Sequence, residues 1–162
     1  AAFYIHILGG PFAILFGVFL MLTGGRPRWL QLHKLTGRLQ MLVVLIVVVP
    51  SGLLMAQQAY AGPVAVYGFT SLAIATGIAA ALALYFARTH NVNKHRAWAT
   101  RCFVLLSSVL LLRVVAGPII VAGFDSEWFY RLNAWLSWLI PLAIYEVWLR
   151  RRMHKLSTAS LQ

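Results

Sequence analysis

Acidic residues are nearly absent. Three Asp and Glu stand against 14 Lys and Arg in 162 residues, and charged residues make up only 10% of the chain. A soluble domain carries about 25%. Too few charged side chains remain to cover a water-soluble globule. Cysteine is scarcer still. Cys102 stands alone, which excludes an intrachain disulfide, a CxxC motif and a paired-cysteine metal site. The chain lacks HExxH and GxSxG motifs, and any P-loop or GxGxxG in a suitable context. Asp125 and Glu127 share one loop, so no catalytic carboxylate pair is recognisable. Zinc wants three or four His, Cys or carboxylate ligands, and the histidines here are scattered.

What is abundant is apolar. Hydrophobic residues make up 61% of the chain and the mean hydropathy is +0.80. A disordered chain is excluded. A net charge of +11 in a soluble protein would suggest nucleic acid. This hydropathy points to a lipid bilayer as partner instead, with no nucleic acid.

Five apolar stretches are long enough to cross a bilayer, which takes about 20 residues each. They lie near 3–23, 36–57, 64–87, 98–122 and 131–149. The expected fold is an all-α, polytopic transmembrane helix bundle. It forms a single domain over 1–149, followed by a basic tail over 150–162.

Strict alternation puts twelve of the fourteen basic residues on one side. They are Arg26, Arg28, Lys34 and Arg38, then Arg88, Lys94, Arg96 and Arg101, then Arg150, Arg151, Arg152 and Lys155. The positive-inside rule makes that face cytoplasmic, where it would meet anionic lipid headgroups. The first span then starts outside. An odd span count with an outside start predicts a sixth helix before Ala1. Trp29, Tyr85, Trp98 and Trp148 fall at inner ends, and Tyr60, Tyr67, Trp128 and Tyr130 at outer ends, as amphipathic rings prefer.

Two features bear on packing. Ser71, Ala75 and Ala79, and likewise Ala73, Gly77 and Ala81, repeat at four-residue spacing. Small residues so spaced let helices approach closely. Pro11, Pro50, Pro118 and Pro141 lie within or near spans and are expected to kink them.

Polar groups inside the membrane are costly, so they are the first functional candidates. His6 lies in the outer part of the first span and shares a helical face with Gly10, Ala13 and Gly17. It could face a ligand or be hydrogen-bonded within the bundle. Arg113 lies 15 residues beyond Trp98, about 22 Å along the helix, in the outer half. A guanidinium there needs an anion, a polar cavity, or carbonyls freed at Pro118 or Pro141. Glu146, near the inner end, is too far in depth to pair with Arg113. Its expected partner is one of His33, Arg38, His95 and Arg101.

Two loop segments resemble each other. HKLTGR supplies His33, Lys34 and Arg38, and KHRAWATR supplies His95, Arg96 and Arg101. Two histidines at one depth could ligate a haem iron from both faces, with Arg38 and Arg101 pairing the propionates. They could also hold a quinone or a lipid phosphate. The plainer alternative is basic side chains snorkelling to anionic lipid.

These residues resemble a bacterial membrane-protein family catalogued as domain of unknown function 2306. Its pattern runs through a helix with H-x-x-x-G, an HR-x-x-GR loop, an HR-x-W-x-x-R loop and an intramembrane LR. Here it reads as His6 with Gly10, His33-Lys34 with Gly37-Arg38, His95-Arg96 with Trp98 and Arg101, and Leu112-Arg113. Lys34 departs from the usual arginine. Ile140-Pro141 stands where Pro-Asn is expected, which leaves an amide role at Asn133 open. The resemblance covers nearly the whole chain and implies a multipass membrane domain. It singles out His6, His33, His95 and Arg113.

Three functions follow as expectations. The first is a membrane redox protein with haem b or a quinone at His33, His95, Arg38 and Arg101. The second is a transporter or lipid-binding protein using an outer-half site at His6 and Arg113. The third is a structural subunit of a membrane complex, docking through its small-residue faces.

Overall fold

A computed structural model describes residues 2–123 and 127–159; Asp125 and the Lys155 side chain lie outside the described residues. The described residues are helical throughout, joined by short turns. The order is α1 (Ala2–Thr23), a 3-10 turn (Pro27–Trp29), α2 (Leu30–Leu42), a π-helical segment (Val43–Val48), α3 (Val49–Ala56), α4 (Pro63–Arg88), α5 (Val92–Val121) and α6 (Glu127–Ala159). Five helices are long and apolar enough to cross a membrane: Phe3–Thr23, Pro27–Ala56, Pro63–Arg88, Val92–Ile119 and Glu127–His154. The second is the continuous rod of the 3-10 turn, α2, the π segment and α3.

The spans match the apolar runs in number and order, but three extend further. The second begins at Pro27, the fourth at Val92, and the fifth continues through the basic segment. Hydropathy falls where a helix leaves the hydrocarbon, but its backbone hydrogen bonds need not stop there. Pro27 and Pro63 sit at first helical positions, where no N–H is required. Asn91 Oδ1 accepts from the Lys94 N–H at 3.2 Å and caps the start of α5.

The prolines do not act alike. Helical structure runs unbroken through Pro11, Pro118 and Pro141. The departure occurs at Pro50, which follows the π segment. Pro50 has no N–H to offer the preceding turn, and the Val49 N–H reaches back to Val44 O. Ser51 repairs part of the loosened turn by donating its hydroxyl to Val47 O.

The core is built from small side chains. On α4, Ala65, Gly68, Ala73, Thr76, Ala79, Ala80 and Ala83 are buried. A Cβ at Gly68 would lie 3.0 Å from Ala134 O, so α4 and α6 touch backbone to backbone there. Much of the small-residue face of α4 is therefore spent inside the chain. Larger apolar residues such as Leu15, Ile46, Ile74 and Ile144 point outward, as a lipid-facing surface requires.

The turns set the two ends. Gly25, at φ +79, closes the turn between α1 and α2, and a Cβ there would lie 2.8 Å from the Arg96 guanidinium. The starts of α2 and α5 therefore meet at one end of the bundle. That end also holds the turn after α4 and the basic part of α6, and is called the basic end below.

Candidate functional site

At the basic end two histidines are held in the same way. Thr23 Oγ1 donates its single proton to Phe19 O at 2.8 Å. The 3.0 Å contact between Thr23 Oγ1 and His33 Nδ1 must then be donated by the ring. His95 Nδ1 lies 2.9 Å from Ala83 O, a carbonyl that can only accept. Both rings are thus Nδ1–H tautomers with the lone pair on Nε2. Neither Nε2 has a hydrogen-bond partner among the described residues.

The α1–α2 and α4–α5 hairpins share this construction. In each, a histidine early in the second helix bonds back to the end of the first. The similarity of the two loop sequences thus has a structural counterpart.

Arg101 is differently occupied. Its Nε and Nη2 donate to the two Glu146 carboxylate oxygens at 2.5 and 3.0 Å. The guanidinium lies 4.5 Å from the Trp98 ring centroid and 5.8 Å from that of Tyr145. Tyr145 in turn donates to Ala97 O at 3.3 Å. Arg101 therefore ties α5 to α6 and has its charge met by Glu146. The sequence reading gave it to a propionate, a task that a free guanidinium would suit better. Arg38 is exposed and makes no ion pair among the described residues.

Sequence reasoning missed Gln40. It lies seven residues beyond His33 on the same face of α2. It is 3% exposed, and its Oε1 is buried without a hydrogen-bond partner. Its amide nitrogen lies 3.7 Å from the Cβ position of Gly17. A buried unpaired amide oxygen costs about 1–3 kcal/mol.

The opposite end carries the second pair. The Ser51 proton goes to Val47 O, so His6 Nδ1 donates to Ser51 Oγ at 3.0 Å. The ring sits at the π segment, with its Cε1 3.2 Å from the Cβ position of Gly52. Arg113 lies toward the same end, on α5. The side chain of Arg113 is exposed and makes no hydrogen bond among the described residues. The carbonyls near Pro118 and Pro141 do not hold it. Asn133, buried nearby on α6, donates to Leu112 O at 3.3 Å.

The described residues contain no group of three or more His, Cys, Asp or Glu suited to a metal ion. No curated protein and no solved structure matches the chain. A family model described as predicted membrane protein (DUF2306) matches residues 3–149. The chain belongs to the DUF2306 family. It is a multipass membrane protein.

In this DUF2306 protein the motif residues fall into two groups. His33 and His95 lie at the basic end, and His6 and Arg113 toward the other. Thr23, Ala83 and Ser51, which hold the three rings, lie outside the motifs and carry no signal beyond their place near a helix end or a proline.

Proposed function

We propose that this protein carries electrons within the membrane on a b-type haem held between His33 and His95. The observation that carries this reading is the shared tautomer. Both rings are tethered through Nδ1–H, which leaves a lone pair on each Nε2. Metal-ligating histidines commonly donate their other N–H to a carbonyl or similar acceptor, which fixes the ring and raises its basicity. Two histidines are too few for a structural zinc, but they suffice where a porphyrin supplies the other four nitrogens.

When bound, a haem would supply one-electron transfer at a potential set by its axial ligands. The chain's own tasks are then to orient two imidazoles and to offer positive charge to the propionates. Arg38, five residues along α2 from His33, has an uncommitted guanidinium for that purpose. Glu146 keeps Arg101 in place as a strut.

The basic end faces the cytoplasm of a bacterial inner membrane in this reading. Twelve basic residues there support it through the positive-inside rule, and anionic headgroups would lie against them.

The deciding experiment is an absorption spectrum of protein purified from haem-replete cells. A Soret band that shifts on reduction is expected, and His33→Ala and His95→Ala should each abolish it while His6→Ala retains it. Absence of the band in the wild type would refute the haem reading.

A quinone at the same end is a second reading, favoured by Gln40. Its unpartnered Oε1 and the His33 Nε2 are both acceptors for a quinol hydroxyl. Quinone extracted in stoichiometric amount from haem-free protein, and lost in Gln40→Leu, would support it.

A further inference from the structure

We propose that a groove along α6 at the basic end seats one anionic phospholipid, with an acyl chain beside Ile144 and Val147 and the phosphate on Arg151. This stands apart from the haem reading and makes no use of His33 or His95. It does not depend on which side of the membrane the basic end faces.

The groove has a volume of about 390 Å³ and is lined by Ala143, Ile144, Val147, Trp148 and Arg151. Ile144, Val147, Trp148 and Arg151 follow three- and four-residue spacings and so share one side of the helix. Ala143 is the small residue among them and leaves the gap between bulkier neighbours. All five are exposed. The groove therefore opens on the surface that faces lipid.

Its depth suits a lipid lying along the helix. From Ile144 to Arg151 is seven residues, about 10 Å of helix. Leu149 ends the apolar run, and Arg150, Arg151 and Arg152 follow it. One end of the groove thus lies beside hydrocarbon and the other at headgroup level. Trp148 marks the border, where amphipathic rings prefer to sit.

The wall is fixed in advance. Trp148 stacks on Tyr145 with ring centroids 6.0 Å apart, and Tyr145 donates to Ala97 O at 3.3 Å. The Arg152 guanidinium lies 5.3 Å from the Trp148 ring centroid. Arg152 is engaged with the ring, while Arg151 lines the groove itself. None of the chain's three carboxylate side chains competes for Arg151. Glu146 is bound to Arg101 and Glu127 to Arg131. Asp125 precedes Glu127 in the sequence, and Glu127 is 24 residues, about 36 Å of helix, from Arg151.

Charge and size select the occupant. A guanidinium offers two parallel donors to phosphate oxygens. Three adjacent arginines favour a headgroup with net negative charge. A stable protein partner would bury about 800 Å² on each side, and five residues of one helix offer too little for that.

The test reads lipid retention on the full chain in detergent by native mass spectrometry. Protein is titrated with dioleoylphosphatidylglycerol, with dioleoylphosphatidylcholine and inorganic phosphate in separate arms. One phosphatidylglycerol is expected to be retained in preference to phosphatidylcholine. Arg151→Gln should weaken its retention about fivefold, the share of one basic residue at an anionic headgroup. Ala143→Leu fills the groove without changing charge and should weaken retention about threefold through lost chain contacts. Arg26→Gln makes the same change of charge at the same end, outside the groove, and should weaken it by less than about twofold. Equal losses in Arg151→Gln and Arg26→Gln would reduce the contact to diffuse attraction and overturn the proposal. Unchanged retention in Ala143→Leu would also overturn it, as would equal retention of phosphatidylcholine. Displacement of the lipid by equimolar inorganic phosphate would give the site to a free anion, and a dimer that Ala143→Leu dissociates would give it to a second copy. Either result overturns the lipid assignment. Ala143 and Arg151 are both exposed, so the variants leave the packing of the bundle intact.

Discussion

The two ends of the bundle treat charge in opposite ways. At the basic end, with twelve basic residues, Arg101 is fixed by two hydrogen bonds to Glu146 and by the Trp98 ring. At the opposite end, Arg113 has no partner among the described residues. Abundance of one charge at an interface is cheap, because water and headgroups screen it. A single charge among lipid-facing apolar residues is not. The isolated cation is therefore the more informative one.

The largest expected effect is on the tethered histidines. His95→Ala removes one of the two Nε2 lone pairs and should abolish the Soret band entirely. The corresponding change at the opposite end, His6→Ala, should leave the band in place. Loss of the band in both variants would mean that the two ends do not act separately.

Next comes the strut. Glu146→Gln leaves the Arg101 guanidinium, 18% exposed, without its carboxylate. Stability should fall by about 1–3 kcal/mol, the cost of unpairing a largely buried charge-assisted hydrogen bond. Denaturant titration in detergent micelles reads it. An unchanged midpoint would show that Arg101 finds water or lipid as readily as Glu146.

A smaller effect is expected one layer out. Thr23→Val removes the acceptor for His33 Nδ1–H and frees the ring to rotate or change tautomer. Losing the hydrogen bond that orients a metal-ligating histidine typically costs about tenfold or more in metal affinity. Haem titration into the purified apoprotein should show that loss without loss of the spectrum. A full loss of the spectrum would instead show that the tether is needed for assembly.

These expectations also mark what the sequence could reveal. The five spans were legible because hydropathy reports directly on which residues can sit in hydrocarbon. Their basic ends were not, because helices such as Pro27–Ala56 and Val92–Ile119 continue where hydropathy falls. Matched loops made His33 and His95 visible as a pair. Their tethers were hidden, since Thr23 and Ala83 lie across a turn, ten and twelve residues upstream. Pro50 marked the place of a helix irregularity, but nothing in its neighbours distinguished it from Pro11, Pro118 or Pro141. Among four possible partners for Glu146, only packing of α5 on α6 selects Arg101. Gln40 escaped notice because a glutamine just inside an apolar run reads as interfacial. The folded chain instead buries it.

The smallest effect is expected at the exposed ion pair of the opposite end. Arg131 Nη2 and Glu127 Oε2 are 2.7 Å apart on one turn of α6, with side chains 42% and 56% exposed. Exposed pairs four residues apart contribute about 0.3–0.5 kcal/mol. Arg131 also donates to Ala61 O at 2.7 Å, a bond that survives loss of the carboxylate. Glu127→Gln should therefore shift the denaturation midpoint by less than half of what Glu146→Gln does, and added salt should erase the difference. If instead the two variants cost the same, burial of Arg101 would not be what makes its pairing matter, and the contrast between the ends would reduce to where the charges happen to lie.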